Sequence, residues 1–279
     1  MAREAAVWDP AQYLRFANER LRPALDLLAQ VPLDAPARVV DLGCGAGNVT
    51  AILKQRFPEA DVAGVDGSAA MLETARATVQ GCRFEQADFF RWQPAEPPDL
   101  IFSNAALHWV DGHPTLFPRL LSFLAPVGVL AVQMPAMHDT PLRRIPYELA
   151  ATEPWAEYLS GVTSAPAILS PMEYWDLLRP YVASLELWQT TYMHALRGEN
   201  AVTEWAAGSS LRPFLDRLPD DRKVAFRLAY SVAARRHYPP RADGNTLLPF
   251  HRVFMVARVQ AAAAPFNGGS GAPAYVTHG

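Results

Sequence analysis

Three glycines and one aspartate near the start of the chain have the types and spacing of a ligand-binding turn. They are Asp41, Gly43, Gly45 and Gly47, within the stretch VVDLGCGAGN at residues 39–48. An apolar run precedes the turn, and the helix-like run TAILKQRF follows it. Because glycine has no Cβ, the backbone of such a turn can approach a ligand closely. The pattern therefore predicts a ligand site between a strand and a helix.

This turn differs from the turn that binds nicotinamide dinucleotides. The dinucleotide pattern is G-x-G-x-x-G, and its third glycine lies where the helix packs on the strand. Asn48 occupies that place here, and the acidic residue Asp41 does not belong to that pattern. The sequence therefore argues against a nicotinamide-dependent oxidoreductase.

Polar side chains also follow the next three strand-like runs. Asp66 ends the second run, about nineteen residues after Gly47, Asp88 ends the third before Phe89, and Asn104 ends the fourth. Open parallel sheets bind ligands at the carboxyl ends of their strands. A carboxylate at Asp66 can accept both hydroxyls of a ribose, and one at Asp88 can accept an adenine amino group. Taken alone, either aspartate could equally be a turn residue.

Alternating strand-like and helix-like runs must position these residues. Strands are predicted at 37–43, 60–66, 82–88, 98–104 and 128–135, and helices at 49–57, 68–79 and 114–124. Ser68 is predicted to cap the second of these helices. This rhythm predicts an α/β fold in which a parallel sheet carries helices on both faces.

The rhythm changes after Pro135. Ser170, Pro171 and Glu173 predict a capping box at the start of a helix. Two more strands are predicted at 185–196 and 250–259, with a helical insertion of roughly 45 residues between them. We divide the chain into a helical lid (1–30), a cofactor-binding core (31–135), the completion of the core with a variable segment (136–200), a helical substrate cap (201–245), the last core strand (246–260) and a disordered tail (261–279).

The bulk properties exclude several classes of function. The net charge of −3 over 279 residues gives no electrostatic case for a nucleic-acid or membrane partner. The longest apolar run is broken by Pro126 and Gly128, and the N-terminus lacks an apolar signal core. The two cysteines, Cys44 and Cys82, form no metal-type cluster, and Cys44 is interpreted as a small filler residue. We expect a cytoplasmic protein without a metal.

In this order and spacing, the motifs from about residue 37 to 135 resemble those of the class I S-adenosylmethionine-dependent methyltransferases. The resemblance implies a Rossmann-like, mostly parallel sheet of seven strands with the last strand antiparallel. It also implies S-adenosylmethionine as the cofactor.

The resemblance carries cofactor-binding roles over to residues of the strand ends. The glycine turn with its acid would hold the methionine portion, and the acid after the second strand would hold the ribose. Asp88 with Phe89 would contact the adenine, and Met71 would pack against it. The full set of expected cofactor-binding residues is Asp41, Gly43, Gly45, Gly47, Asp66, Met71, Asp88, Phe89 and Asn104.

A narrower resemblance, to the members of that family that esterify trans-aconitate, extends nearly to the tail. It rests on the sequences at 8–10, 13, 16, 19–20, 41–48, 92–94, 99–102, 129–135, 190–192, 194, 211–213 and 252. It implies that a small tricarboxylic acid is the substrate. A carboxylate is already an anionic nucleophile, so no catalytic base is expected. Positioning and exclusion of water would carry the catalysis.

Such a substrate needs cationic and hydrogen-bonding groups. The expected substrate-binding residues are Arg212, Tyr192, His194, Arg252, Trp109 and Tyr13. Tyr192 and His194 share one face of a strand, and Trp205 could wall the pocket. His194 could equally be a structural residue, and Tyr13 could belong to packing rather than to a lid. Arg143 and Arg144 are expected to be solvated surface charges.

Three alternatives remain open at this stage. The chain could methylate a quinone, a phenol or an amine, in which case His108 or His194 would be needed as a base. It could instead be a nucleotide-binding module without catalysis. Methylation of nucleic acid is disfavoured by the net charge and because 103–106 reads SNAA where such enzymes carry an Asn-Pro-Pro-Tyr type of sequence. The sequence holds no signal for an oligomeric state.

Overall fold

Seven strands form one mixed sheet in the computed structural model, which describes residues 17–163 and 168–261 apart from the side chains of 17–20. The strands are β1 (Arg38–Leu42), β2 (Asp61–Asp66), β3 (Arg83–Gln86), β4 (Leu100–Asn104), β5 (Val129–Pro135), β6 (Ser184–Arg197) and β7 (Asn245–Arg258). Their order is β3-β2-β1-β4-β5-β7-β6. Strands β1 to β5 are parallel, and β7 runs antiparallel to both β5 and β6. The predicted sheet is confirmed, including its antiparallel last strand.

The helices predicted at 49–57, 68–79 and 114–124 are present, and two more at 141–150 and 156–159 lie where the sequence predicts none. The described helices lie before and between the strands. They are α1 (Ala17–Leu28), α2 (Asn48–Arg56), α3 (Ala69–Thr78), α4 (His113–Ser122), α5 (Pro141–Ala150), α6 (Ala156–Leu159), α7 (Pro171–Leu178), α8 (Ala201–Ala207), α9 (Arg212–Leu215) and α10 (Asp220–His237). Short 3-10 turns occupy Leu107–Trp109 and Arg179–Tyr181. Within the described ranges, none of the helices has both the length and the apolar character that crossing a bilayer requires.

Two predicted helix caps are present. The Ser68 hydroxyl accepts from the backbone N–H of Met71 at 3.4 Å, at the start of α3. At α7 the Ser170 hydroxyl accepts from the Glu173 N–H at 3.3 Å, and the Glu173 carboxylate accepts from the Ser170 N–H at 2.7 Å. This reciprocal pair is the capping box that the sequence indicates, and it satisfies two donors that a helix start leaves unpaired.

Apolar side chains cover both faces of the sheet. On one face, strand residues pack with α4 and α7, where Phe117 and Tyr174 are fully buried. On the other face, they pack with α1 and α2, where Leu27 and Leu53 are fully buried. The two faces of β1 alternate accordingly, since Val40 belongs to the first cluster and Val39 to the second.

A third apolar cluster joins the helical insertion to the segment that precedes β6. It brings α5 and α6 against α8, α9 and α10, with Trp155 packed edge-on against Phe226 at 5.3 Å between ring centroids. The segment 137–159, assigned from the sequence to the completion of the core, therefore packs with the insertion. Residues 171–197 pack with the sheet.

Strand β7 begins at Asn245, one residue before the predicted last core strand (246–260) and five before the strand-like run at 250–259. It contains Pro249, although proline lacks the N–H that a central strand needs. Strand β5 ends opposite Arg252, so at Pro249 strand β7 pairs in register with β6 only. Proline is tolerated there because one side of the strand has no neighbour. The predicted lid residues up to 16 and the predicted disordered tail from 262 lie outside the described residues.

Candidate active site

The glycine turn lies where the strand order reverses, between β1 and its neighbours β2 and β4. Gly43, Gly45 and Gly47 have φ angles of 82°, 54° and 85°, in the left-handed region that favours glycine. A Cβ on Gly43 would lie 2.1 Å from the Cβ of Ala106, whereas a Cβ on Gly45 would meet nothing within 4 Å. Gly43 is thus needed for packing, and Gly45 faces open space.

The carboxylate of Asp66 fixes this turn to the end of β2. Its Oδ2 accepts from the Gly45 N–H at 2.9 Å, and its Oδ1 accepts from the Ser68 N–H at 2.8 Å. The Gly43 N–H also donates to the Val65 carbonyl at 2.7 Å. Each oxygen of a carboxylate has a further lone pair, and Asp66 is partly exposed. Asp66 can therefore hold the turn and still accept hydrogen bonds from a ligand.

Asp41 lies behind the turn. Its side chain is 1% exposed, and its Oδ2 accepts from the Thr50 hydroxyl of α2 at 2.6 Å. Burial raises the pKa of this carboxyl to about 7, and the charge of Asp66 acts in the same direction, against the Thr50 hydrogen bond. Direct contact of Asp41 with a ligand, as expected from the sequence, gains no support from this enclosed position. The geometry favours a role in tying α2 to β1.

Cys44 fills space inside the turn. The residue is buried, and its Sγ lies 2.9 Å from the position that a Cβ on Gly64 would take. Burial raises the pKa of its thiol far above the ordinary range. The interpretation of Cys44 as a filler is confirmed.

The residues expected near an adenine lie beside the same turn. The Phe89 ring reaches within 3.4 Å of where a Gly43 Cβ would stand. Met71 is 9% exposed in the first turn of α3. Asp88 is exposed, and its Oδ1 accepts from the Phe90 N–H at 2.8 Å. The structure thus brings Phe89 to the glycine turn and leaves the second oxygen of Asp88 available to a ligand.

Two amide side chains at the ends of β4 and β5 have buried polar atoms without partners. Asn104 pairs in register with Gln133. The Oδ1 of Asn104 and the Nε2 of Gln133 are buried, and neither has a hydrogen-bond partner among the described residues. The Oε1 of Gln133 accepts from Arg252 at 3.0 Å. Unsatisfied buried polar atoms are uncommon and indicate a site for a missing partner.

A cavity of about 110 Å³ opens at the same edge of the sheet. It lies between the 3-10 turn after β4, the end of β5, the start of α5 and the loop from α8 to α9. Its lining residues are His108, Trp109, Pro135, Met137, His138, Leu142, Arg143, Ile168, Ser209, Ser210 and Phe250. We call it the cap cavity, because the insertion and α5 close it.

His108 is a neutral imidazole in the wall of the cap cavity. Burial is the largest cause that lowers its pKa to about 3, and the positive charges of Arg143 and Arg252 act in the same direction. Its Nδ1 is buried and has no hydrogen-bond partner in the described parts of the chain. With this pKa, His108 is a weak base at neutral pH.

The predicted residues Tyr192, His194 and Arg252 lie in a layer behind Phe250. The Arg252 guanidinium is 4.8 Å from the centroid of Phe250 and 6.0 Å from that of Tyr192. The Tyr192 hydroxyl donates to Asp26 of α1 at 2.6 Å. As predicted, Tyr192 and His194 share one face of β6, with rings 6.5 Å apart. Of this layer, Phe250 is the residue that lines the cap cavity.

His194 also stacks on Trp205 of α8, with ring centroids 4.7 Å apart. The two rings join the insertion to β6. This contact suits the structural interpretation of His194, while contact with a substrate stays a prediction.

The other predicted substrate-binding residues differ in whether they line the cap cavity. Trp109 lines the cap cavity and is 47% exposed. Arg212 does not line it, and its Nε lies 3.4 Å from Asp216 in an ion pair within the insertion. A substrate contact by Arg212 therefore stays a prediction that this geometry does not favour. Tyr13 lies outside the described residues.

Arg143 corrects the sequence interpretation, which places both Arg143 and Arg144 among the solvated charges. Arg144 is indeed exposed and paired with Glu148 at 2.6 Å. Arg143 instead lines the cap cavity, and burial lowers its pKa. The signal that could have revealed it is the helical periodicity of α5. Its buried face, marked by Leu142 and Ile145, leaves position 143 at the edge of that face and position 144 opposite it.

The chain belongs to the methyltransferase family. Residues 13–188 match a family model described as a methyltransferase domain. The YcgJ protein of Bacillus subtilis has a similar fold, with a TM-score of 0.56 and 15% identity over 86% of this chain and 100% of that one.

Within this family, the chain is similar to proteins named trans-aconitate 2-methyltransferase. The protein from Azoarcus sp. (strain BH72) is 49% identical over 250 residues, which are 90% of this chain and 98% of that one. The protein from Methylobacterium nodulans is 50% identical over 254 residues, which are 91% of this chain and 98% of that one.

The two glycine environments predict different effects of alanine on stability. Gly43→Ala should destabilise the protein by roughly 3 kcal/mol or more, because the added methyl overlaps Ala106 and φ stays positive. Gly45→Ala should lower stability by only about 1 kcal/mol, because backbone conformation is its sole penalty. Urea unfolding of both variants tests this. Equal losses of stability in the two variants would contradict the conclusion that Gly43 is packed and Gly45 faces open space.

Because the pKa of Asp41 is raised, we expect the difference in free energy of unfolding between wild type and Asp41→Asn to depend on pH. The folded-state pKa of about 7 lies above the ordinary value of 3.8, so the folded protein holds the Asp41 proton more tightly than the unfolded chain. Wild type should therefore lose stability as pH rises from about 4 to about 7. The amide of the variant has no such titrating proton. The stability of the variant relative to wild type should therefore rise by up to roughly 4 kcal/mol across this window.

Urea unfolding of both proteins at pH 5, 6 and 8, without ligands, measures that difference. Other titrating groups cancel in the comparison because both proteins contain them. A difference that stays constant from pH 5 to 8 would show that Asp41 is ionised throughout.

Proposed function

We propose that this chain transfers the methyl group of S-adenosylmethionine to a carboxylate of trans-aconitate, which gives a monomethyl ester. The observation that carries the proposal is the identity of about one half, over nearly all of both chains, to relatives named for this activity. The matched segments cover 90% and 91% of this chain, so the similarity is not confined to the part that carries the glycine turn.

The residues at the glycine turn fit S-adenosylmethionine. The space beside Gly45, which a Cβ would enter, leaves backbone open to the methionine portion. The remaining lone pairs of Asp66 would accept the ribose hydroxyls. Asp88 and Phe89 would flank the adenine with Met71, and the orphaned Oδ1 of Asn104 would accept a donor from the cofactor. Asp41 would support the turn from behind.

When bound, the cofactor would supply a methyl group carried on a sulfonium. A carboxylate oxygen bonds to the methyl carbon as the carbon–sulfur bond breaks, and no proton is transferred. The chain therefore needs to orient the acid and exclude water. The walls of the cap cavity provide this enclosure next to Asn104 and Trp109. The insertion with α5 would act as the substrate cap, and the N-terminal helix as part of a lid.

The state of His108 favours a carboxylate over a phenol or an amine as the acceptor. A hydroxyl or ammonium acceptor needs a base to remove its proton. The pKa of about 3 makes His108 unsuited to that task at neutral pH, and a carboxylate does not require it. We place the reaction in the cytoplasm, where Cys44 and Cys82 would stay reduced, as both free thiols are here.

Methyl transfer from labelled S-adenosylmethionine to a panel of acceptors tests the proposal. The panel is trans-aconitate, cis-aconitate, citrate, a phenol and an amine. We expect preferential labelling of trans-aconitate, recovered as an ester that base hydrolyses. Labelling of the phenol or the amine in preference to every acid would contradict the proposed substrate while leaving the methyltransferase family intact.

A further inference from the structure

Arg143 presents an uncompensated positive charge to the cap cavity. Its side chain lines the cavity, and burial lowers its pKa. Across the described ranges, its guanidinium forms neither an ion pair nor a hydrogen bond, although Arg144 beside it is paired with Glu148. A partly buried guanidinium without a protein partner has lost part of its hydration without compensation, so it offers a favourable contact to an anion in the cavity.

Ser210 provides a second, independent indication at the same cavity. The residue is 7% exposed, and its hydroxyl is buried without a hydrogen-bond partner in the described part of the chain. Ser210 and Arg143 come from different segments, the loop after α8 and the first turn of α5, yet both line the cap cavity. A guanidinium and a hydroxyl are both donors, so together they match the acceptor oxygens of a carboxylate.

Uncharged side chains from the edge of the sheet also line the cavity. His108 and Trp109 follow β4, next to Asn104 and the edge where the glycine turn lies. The imidazole of His108 is neutral, and the indole of Trp109 carries no charge. The cavity is thus lined by a cationic side chain from α5 and by uncharged side chains from the turn after β4.

A carboxylate that pairs with a guanidinium is a weaker nucleophile. The opposite charge stabilises the ionised oxygens and lowers their affinity for an electrophile, as it lowers their affinity for a proton. The carboxylate that attacks the methyl group is therefore not the one that an arginine holds. A substrate with several carboxylates can use one as an anchor and another as the nucleophile.

We propose that Arg143 and Ser210 form a binding subsite for a carboxylate of the substrate that is not methylated. This inference rests on the proposed function and adds the residues that select for polycarboxylic acids. Arg143 is the main positioning residue, and Ser210 donates a second hydrogen bond. The subsite favours acids with at least two carboxylates over monocarboxylic acids.

The test compares Arg143→Gln with wild type at saturating S-adenosylmethionine. The KM for trans-aconitate should rise roughly 30-fold or more, because a charge-assisted contact is lost. The turnover number should change much less, because the reacting carboxylate is a different one. Arg143→Lys should recover part of the loss, since it restores the charge without the forked geometry.

Arg144→Gln is the matched control. It removes a neighbouring charge of the same kind from the exposed face of α5, where Arg144 pairs with Glu148. Its KM for trans-aconitate should equal that of wild type. If Arg144→Gln raises the KM as much as Arg143→Gln does, general charge attraction explains the effect and the subsite is wrong.

Three dicarboxylates that each lack a different carboxylate of trans-aconitate locate the anchored group. They are mesaconate, cis-glutaconate and itaconate. For an analogue without the carboxylate that Arg143 binds, wild type and Arg143→Gln should have the same KM. For trans-aconitate the two should differ. An equal rise in KM for all four acids would overturn the assignment of one carboxylate to Arg143.

The failure of this inference can be told apart from failure of the proposed function. If wild type does not methylate trans-aconitate, the proposed function fails and the subsite with it. If wild type does so and Arg143→Gln keeps both the wild-type KM and the affinity for S-adenosylmethionine, only the subsite is wrong. If Arg143→Gln does not fold, Ser210→Ala decides, with an expected rise of roughly fivefold in KM, and an unchanged KM would overturn the subsite.

Discussion

The candidate site depends on one carboxylate that holds two turns of the chain together. Asp66 accepts the N–H of Gly45 on one oxygen and the N–H of Ser68 on the other. The first donor belongs to the turn after β1, and the second opens α3 after β2. Because β1 and β2 are parallel and in register up to Leu42 and Val65, the two turns emerge side by side at one edge of the sheet. The two hydrogen bonds of Asp66 hold these neighbouring turns in a fixed position, so their backbones form one surface.

The rest of the site follows from where the strands end. Parallel strands bring their carboxyl ends to one edge, so residues distant in sequence, such as Gly45, Phe89 and Asn104, gather there. The antiparallel β7 starts at this edge, which places Phe250 against the cap cavity. The insertion packs with α5 and α6 in an apolar cluster of its own. The cavity wall is therefore a packed structure that can hold Arg143 and Ser210 in place.

The features that depend on local sequence could be predicted. The glycine turn, the cap at Ser68 and the capping box at Ser170 require particular residue types at fixed spacing, and all are present. The sheet and its antiparallel strand are implied by the resemblance to the methyltransferases. The contacts that involve distant segments are harder to foresee. The strand around Pro249 is possible only because β5 ends opposite Arg252, which no local pattern reveals.

For the charged residues too, the sequence predicts the local motif, whereas packing decides what the side chain contacts. Asp41 can be recognised as part of the turn, but its direction toward Thr50 is set by how α2 packs on β1. Arg143 and Arg144 are identical in type and adjacent in sequence, and only the packing of α5 separates a cavity residue from a surface ion pair. Arg212 is among the expected substrate-binding residues, yet this arginine pairs with Asp216 in the insertion.

Calorimetric titration of S-adenosylmethionine into Asp66→Ala tests the central claim most directly. The matched control is Asp61→Ala, because Asp61 is an exposed acid paired with Arg83 at the opposite end of the same strand. The account predicts at least a roughly 100-fold loss of affinity for Asp66→Ala, since two charge-assisted contacts are removed, and wild-type affinity for Asp61→Ala. Wild-type affinity in a folded Asp66→Ala variant would contradict the claim that the cofactor binds at this edge of the sheet.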